Sequence, residues 1–229
     1  MGQSWYCVNI DRGESTDTWW KMGEFFFAKD PARLIAAISV PANASLDYKK
    51  PETGNGSWAG DRIMVIGDYT EEWPQRVLED ERGDCFRGTT PYEYALTHMV
   101  GEMDSEWVLK FNDQYPTDRP WVLRNLDKKV YVSSDGIPTV GRDGRTLRYY
   151  KNVGPFSAPG LGSVLVGKIG WSQDPSCAME HGEDYALTQG GWVGDRFDAR
   201  VFDEVKDQME AEGWTDVTNE EAIRTRGLW

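Results

Sequence analysis

The chain has 229 residues, of which 39% are hydrophobic and 13% are aromatic, including 11 Trp and 10 Tyr. This much apolar surface excludes an acidic disordered chain, and the length is sufficient for a sizeable core. The 25 Lys and Arg against 38 Asp and Glu give a net charge of −13, which disfavours nucleic acids and anionic membranes as partners.

Five segments show the patterns of β-strands. Residues 5–10 alternate between two faces and end at a polar turn, which predicts a strand. Apolar or alternating runs predict further strands at residues 62–66, 121–126, 131–132 and 197–201, and the sequence Ser133-Ser-Asp-Gly136 predicts a turn after the fourth.

Helices have clear start signals. Asp30-Pro31 offers an N-cap with proline at the first helical position, and Thr90-Pro91-Tyr-Glu93 is a capping box before an apolar run. The spacing of Val201, Val205 and Met209 predicts another helix, ended by Gly213, and Thr218-Asn-Glu-Glu221 predicts a capping box for the last one. Together the elements predict a β-rich α+β fold with a few short helices.

Three sequence blocks occur twice in the same order. Trp5-Tyr-Cys-Val-Asn-Ile-Asp-Arg12 corresponds to Trp121-Val-Leu-Arg-Asn-Leu-Asp-Lys128, and Met22-Gly23 with the four residues after it corresponds to Leu161-Gly162 with its four. Ser57-Trp-Ala-Gly-Asp-Arg-Ile63 corresponds to Gly191-Trp-Val-Gly-Asp-Arg-Phe197. Because tryptophan is rare and the order is kept, we interpret the chain as a tandem duplication with pseudo-two-fold symmetry, composed of modules 1–118 and 119–229 that share one core.

The repeated Trp-x-Gly-Asp-Arg motif is the leading candidate for a ligand site. Its tryptophan offers a stacking surface, its Asp accepts hydrogen bonds and its Arg donates them, which suits a sugar or another polar ligand. An equally simple interpretation is structural, with the tryptophan in the core and the Asp and Arg paired locally. The candidate ligand-binding residues are Trp58, Asp61, Arg62, Trp192, Asp195 and Arg196.

Two Asn-x-Asp pairs stand at the predicted strand ends. Asn9 and Asp11, like Asn125 and Asp127, are two residues apart and therefore share one face of their strand. Two such polar groups suit a hydroxyl-rich ligand, and they also suit a turn that needs no ligand.

A basic segment in the second module is the candidate for a partner contact. Residues 142–151 carry Arg142, Arg145, Arg148 and Lys151 beside two tyrosines in an otherwise acidic chain. They offer a docking site for an anion or an acidic partner, or else they form a solvated hairpin tip.

Signatures of catalysis and of metal binding are weak. His98 lies on the predicted helix that begins at Thr90, one residue before the apolar Met99. His181 lies four residues after Cys177 and shortly before Glu183, in a stretch interrupted by Pro and Gly. The phosphate-binding loops, the zinc-protease motif and the nucleophile elbow are absent from the sequence. We expect no metal and no cofactor, and the catalytic residues, if there are any, are unknown at this stage.

The blocks at residues 8–11, 58–69 and 123–132 resemble those of a group of uncharacterised, largely fungal proteins with Trp-x-Gly-Asp-Arg and Asn-[Ile/Leu]-Asp-[Lys/Arg] motifs. The resemblance implies no activity and no catalytic residues.

The sequence predicts a cytoplasmic ligand-binding protein. Its start lacks a secretory signal, no apolar run approaches the roughly 20 residues of a membrane span, and three widely spaced cysteines suit reduced thiols. The predicted partner is a carbohydrate or another polar small molecule, bound as duplicated lectins bind sugars. The alternatives are an enzyme of specialised metabolism or glycan hydrolysis that uses carboxylates between the modules, and a protein-interaction adaptor.

Overall fold

The computed structural model describes residues 2–16, 21–23, 30–45, 47–100, 112–137, 160–176 and 187–227. Over these residues the chain is a mixture of strands and helices, so the predicted α+β class is confirmed. The strands are β1 (Trp5–Asn9), β2 (Glu14–Thr16), β3 (Asp61–Gly67), β4 (Met99–Val100), β5 (Trp121–Asn125), β6 (Val130–Ser133), β7 (Gly170–Trp171), β8 (Arg196–Val201) and β9 (Thr215–Asp216). The α-helices are α1 (Asp30–Ile38), α2 (Gln75–Leu78), α3 (Pro91–Thr97), α4 (Leu161–Ile169), α5 (Phe202–Ala211) and α6 (Thr218–Gly227).

The strands form one sheet in the order β4-β2-β1-β3-β8-β5-β6-β9, with β7 paired to β3 outside this path. β1 pairs with β3 in antiparallel orientation along all of β1, and β5 pairs with β8 in the same orientation along all of β5. At the centre β3 and β8 share only two residue pairs, Asp61 with Phe197 and Arg62 with Arg196. Beyond them β3 continues in parallel with β7, and Ser39, at the end of α1, forms a parallel bridge with Ala199 of β8.

Alternation along the strands gives the sheet two different faces. On one face a single apolar cluster contains residues from both halves of the chain, among them Trp5, Ile63, Trp121 and Phe197, and is covered by α1 and α4. On the other face one cluster lies under α2 and α3 and a second lies under α5. The second face therefore has two separate apolar regions.

Charged side chains lie on the central strands between these two apolar regions. Arg62 and Arg196 are directly paired across β3 and β8, so their side chains leave the same face of the sheet. Asp198 follows two residues along β8, and its neighbour on β5 is Arg124. The candidate site is therefore built on the rigid centre of the fold.

The two capping boxes predicted from the sequence, at Thr90 and at Thr218, have different outcomes. The Thr90 capping box forms as expected, with the Thr90 hydroxyl accepting from the Glu93 N–H at 3.1 Å and the Glu93 carboxylate accepting from the Thr90 N–H at 3.0 Å. The Thr218 box does not form, although a helix does begin there. The Thr218 hydroxyl accepts instead from the Ser133 N–H at 2.9 Å, so a tertiary contact with β6 takes the place of the local one.

Within the described part of the chain, no helix is both long and apolar enough to cross a membrane.

Candidate functional site

The first Trp-x-Gly-Asp-Arg motif forms the turn that leads into β3. Gly60 has φ of +79°, in the left-handed region that favours glycine, and this turn allows Asp61 to enter the strand. The Trp58 side chain is completely buried, and its indole N–H donates to the Glu14 carboxylate at 2.8 Å. In this conformation Trp58 has no exposed face on which a ligand could stack.

Asp61 and Arg62 fasten this turn to the end of β1. The Asn9 side-chain amide donates to Asp61 at 2.9 Å, and the ammonium group of Lys50 contacts the other Asp61 oxygen. The Asp11 carboxylate accepts from the Arg62 backbone N–H at 2.8 Å and from the Arg62 Nε–H at 2.7 Å. The side chains of Asp61 and Arg62 are therefore both held by neighbouring protein groups.

Asp80 closes the remaining side of Arg62. One guanidinium nitrogen of Arg62 lies 2.6 Å from Asp11 and another lies 2.8 Å from Asp80, and the Arg62 side chain is only 3% exposed. Burial by itself lowers the pKa of Arg62, but its hydrogen bonds and its attraction to Asp11 and Asp80 raise the pKa above the ordinary value. Arg62 is a charged, enclosed residue.

The second motif repeats this turn before β8. Gly194 has φ of +75°, and the Asn125 side-chain amide donates to the buried Asp195 carboxylate at 2.6 Å. Trp192 is buried as well, with the ammonium group of Lys168 5.1 Å from the centre of its ring. Trp192, like Trp58, is thus a core residue in this conformation.

Arg196 has a different environment from Arg62. Its backbone N–H donates to Asp127 at 2.6 Å, which matches the contact between Arg62 and Asp11. Its guanidinium group, however, lies 3.5 Å from Asp127 and 3.9 Å from Asp11, and the side chain is 39% exposed. The guanidinium group of Arg196 is therefore more exposed than that of Arg62 and makes longer contacts with carboxylates.

Arg76 and Lys128 complete this surface. Arg76, from α2, contacts the buried Asp195 with one guanidinium nitrogen and lies 3.5 Å from Asp127 with another. The Lys128 ammonium group lies 3.8 Å from Asp195. Burial raises the pKa of Asp195, against the hydrogen bond from Asn125 and the charges of Arg76 and Lys128. We call this group the Arg196 patch; its members are Arg76, Asp127, Lys128, Asp195 and Arg196.

A second charged group adjoins the patch on β5 and β8. Arg124 donates to both oxygens of Asp198, at 2.8 and 2.7 Å, and all of these side chains are buried. Arg200 adds a third hydrogen bond to Asp198 at 3.1 Å, and the Arg124 guanidinium group lies 5.2 Å from the centre of the Trp214 ring. With this many protein partners, Asp198 serves to hold the two arginines in place.

The other residues predicted from sequence are placed as follows. The basic segment with Arg142, Arg145, Arg148 and Lys151 lies outside the described residues, as do Cys177 and His181. His98 caps the end of α3 and stacks on Tyr94, with ring centres 3.9 Å apart. Where the chain is described, no three His, Cys, Asp or Glu side chains are grouped as a metal site would need.

Sequence reasoning missed the contributions of Lys50, Arg76 and Asp80. Each comes from a loop or a four-residue helix, and no spacing relates it to the repeated motif. Only the three-dimensional path of the chain brings these residues to the centre of the sheet.

Comparisons with models of protein families, with curated proteins and with solved structures return no match. Functional inference therefore depends on the geometry of the site.

Proposed function

We propose that this is a binding protein for a carbohydrate or another polar small molecule, with one site at the Arg196 patch. The observation that supports the proposal is the contrast between the two motif arginines. Arg62 is 3% exposed and is enclosed by two carboxylates, whereas the Arg196 side chain is 39% exposed and its guanidinium contacts with carboxylates of the described residues are 3.5 and 3.9 Å long. A guanidinium group with free donors on a fixed strand is suited to hold a polar ligand.

The proposal includes the tandem duplication, which several matching contacts support. The Arg12 N–H donates to Asn9 and the Lys128 N–H donates to Asn125, both at 3.0 Å. Asn9 is opposite Ile63 in the β1–β3 pair, as Asn125 is opposite Phe197 in the β5–β8 pair. The contact of the strand end with the turn is thus built in the same way in both halves.

The helices suggest a different alignment from the one that the sequence indicated. The Trp58 N–H donates to the Ala37 carbonyl at 2.8 Å, and the Trp192 N–H donates to the Lys168 carbonyl at 2.9 Å. These contacts relate α1 to α4, with Ala37 corresponding to Lys168. The sequence comparison had instead matched Leu161-Gly162 with Met22-Gly23, since short apolar runs are easily aligned out of register.

Duplication gives the two motifs a division of roles. In the first half, Asp80 occupies the position beside Arg62 where a ligand group would have to bind. In the second half, the nearest comparable carboxylates stand farther from Arg196 and leave room for solvent. The first motif is then a structural turn, and the second keeps the same turn and adds a binding surface.

The experiment is a screen for glycan and metabolite binding followed by calorimetric titration of the best ligand. We expect Arg196→Gln to weaken binding at least ten-fold while the unfolding temperature changes little, because this side chain is 39% exposed and its contacts with carboxylates are long. Arg87→Gln is the matched control, since Arg87 is also an exposed arginine in one ion pair, with Asp84. Wild-type affinity in Arg196→Gln, or absence of any ligand in the screen, would contradict the proposal.

The enzymatic alternative is tested in the same experiment. Asp11 and Asp127 both approach Arg196, so a pair of carboxylates does lie where the two halves meet. Any glycan that binds is incubated with the protein and its products are analysed. Cleavage that is lost in Asp127→Asn while binding persists would identify a glycosidase instead of a binding protein.

A further inference from the structure

The charges of the Arg196 patch are unequal in number and in exposure. Three cations, Arg76, Lys128 and Arg196, surround two carboxylates, Asp127 and Asp195. The cations are 45, 39 and 39% exposed, whereas Asp127 is 23% exposed and Asp195 is fully buried. The most exposed charged groups of the patch are therefore cations, on a protein whose net charge is −13, while Asp11, which lies 3.9 Å from Arg196, is only 19% exposed.

The two arginines are held so that one group can reach both. Arg76 and Arg196 lie 3.5 Å from different oxygens of the same Asp127 carboxylate. A carboxylate thus already bridges them, at distances longer than the 2.7 to 2.9 Å or so of a tight charge-assisted hydrogen bond. An incoming oxyanion that approached more closely would gain stronger hydrogen bonds than Asp127 makes.

The first half has the opposite character at the equivalent place. Asp11 and Asp80 both contact Arg62 at 2.6 to 2.8 Å, so two carboxylates face a single guanidinium charge. Asp61 there is contacted by the single cation Lys50, where Asp195 has both Arg76 and Lys128. The carboxylates around Arg196 are therefore surrounded by more cations than those around Arg62, and one of these cations, Arg76, is supplied by the first half of the chain.

From these observations we infer that the ligand of the Arg196 patch carries an oxyanion, a carboxylate or a phosphate, and that Asp127 holds the site until this group displaces it from the arginines. The inference is based on the proposed function and names its ligand class. A sugar acid or a sugar phosphate supplies the oxyanion together with hydroxyl groups for the neighbouring acceptors. Arg is the residue best suited to both oxyanions, because its planar fork donates two parallel hydrogen bonds.

The test is isothermal titration with D-glucuronate, D-glucose 6-phosphate and D-glucose as probes. We expect one or both anions to bind and neutral glucose to bind at least ten-fold more weakly, and the affinity for the anion should fall when salt rises from 50 to 300 mM, because partly exposed charges are screened. Phosphate and carboxylate sources are distinguished by which of the two anions binds more tightly.

Two variants examine the role of Asp127. Asp127→Asn keeps an oxygen that can accept from the Arg196 N–H but removes the competing charge, so binding of the anion should become at least three-fold tighter. Arg76→Gln should weaken it at least ten-fold, while Arg87→Gln should leave it unchanged. Weaker anion binding in Asp127→Asn would overturn the inference, as would salt-independent binding.

The outcomes separate the inference from the proposed function. If neutral glucose or another neutral glycan binds as well as the anions and Arg196→Gln abolishes that binding, the binding function stands and the oxyanion inference fails. If no probe and no screened glycan binds, both fail.

Discussion

The clearest prediction concerns the unequal burial of the two motif arginines. Replacing each with Met keeps most of the aliphatic volume and removes the charge. Arg62→Met leaves Asp11 and Asp80 without their common partner at the centre of the sheet. Arg196→Met removes a guanidinium group whose contacts with carboxylates of the described residues are 3.5 and 3.9 Å long. The same substitution is thereby made at the last position of each Trp-x-Gly-Asp-Arg motif.

The magnitudes follow from burial. Removing one partner of a buried ion pair costs roughly 3 to 5 kcal/mol. Asp11 and Asp80 keep some contact with water, which screens the unpaired charges, so we expect a somewhat smaller cost of about 2 to 4 kcal/mol for Arg62→Met. For Arg196→Met the expected cost is less than about 1 kcal/mol, as for other solvent-exposed pairs. In a chain of this size the first loss corresponds to a fall of roughly 4 to 16 °C in unfolding temperature.

Equilibrium unfolding in urea, followed by tryptophan fluorescence, measures both free energies. The slope of the unfolding free energy against urea concentration should be the same as in the wild type, as expected when the variants unfold from the same folded state. Equal losses of stability in the two variants, or a larger loss for Arg196→Met, would refute the reasoning, because the two arginines would then be equally structural.

Two other predictions also compare pairs of single substitutions. Gly60→Ala should lower the free energy of unfolding by about 1 to 2 kcal/mol from its positive φ alone, because a Cβ there meets no atom within 4 Å. Gly194→Ala should lower it further, because its Cβ would lie 2.9 Å from the Val77 side chain. Urea titration of both variants measures the two losses, and equal losses would contradict this order. Burial raises the pKa of Tyr6 and of Tyr115 to about 12, so both should ionise late in an absorbance titration. Because the folded state then holds protons that the unfolded chain releases near pH 10, stability should fall as the pH rises from 10 to 12, and both variants, Tyr6→Phe and Tyr115→Phe, should make that fall less steep.

Local sequence signals were sufficient for most of the fold. Alternating patterns at residues 5–10 and 121–126 predicted β1 and β5, and the signals at Asp30-Pro31 and Thr90-Pro91 predicted α1 and α3. These elements bury their apolar positions in the way the patterns require, so the short-range and long-range preferences agree. α4 is different: its nine residues are all buried, so the run lacks a polar face and gives no helical period.

The site was predicted only in part. The motif residues, with their Asn and Asp neighbours, do meet at the ends of β1, β3, β5 and β8, because each motif lies next to a strand end. Which arginine would be enclosed was beyond prediction, since it depends on Asp80, one acid in the run Glu79-Asp80-Glu81. The sequence also left two interpretations of Trp58 and Trp192, as core residues or as a stacking surface for a ligand, because a tryptophan beside glycine occurs in both settings.

The short contact between β3 and β8 has a consequence for how such a chain can be divided. Beyond its two residue pairs, each central strand is completed by a segment from the opposite half: β7 pairs with β3, and the Val40 N–H donates to the Ala199 carbonyl at 2.9 Å. Cutting the backbone near residue 118 should therefore yield two fragments that fold only when mixed. Each fragment supplies the segment that pairs with the central strand of the other. Under the proposed duplication, the single ancestral module would have been a dimer in which two chains exchanged these segments, and fusion made that exchange permanent.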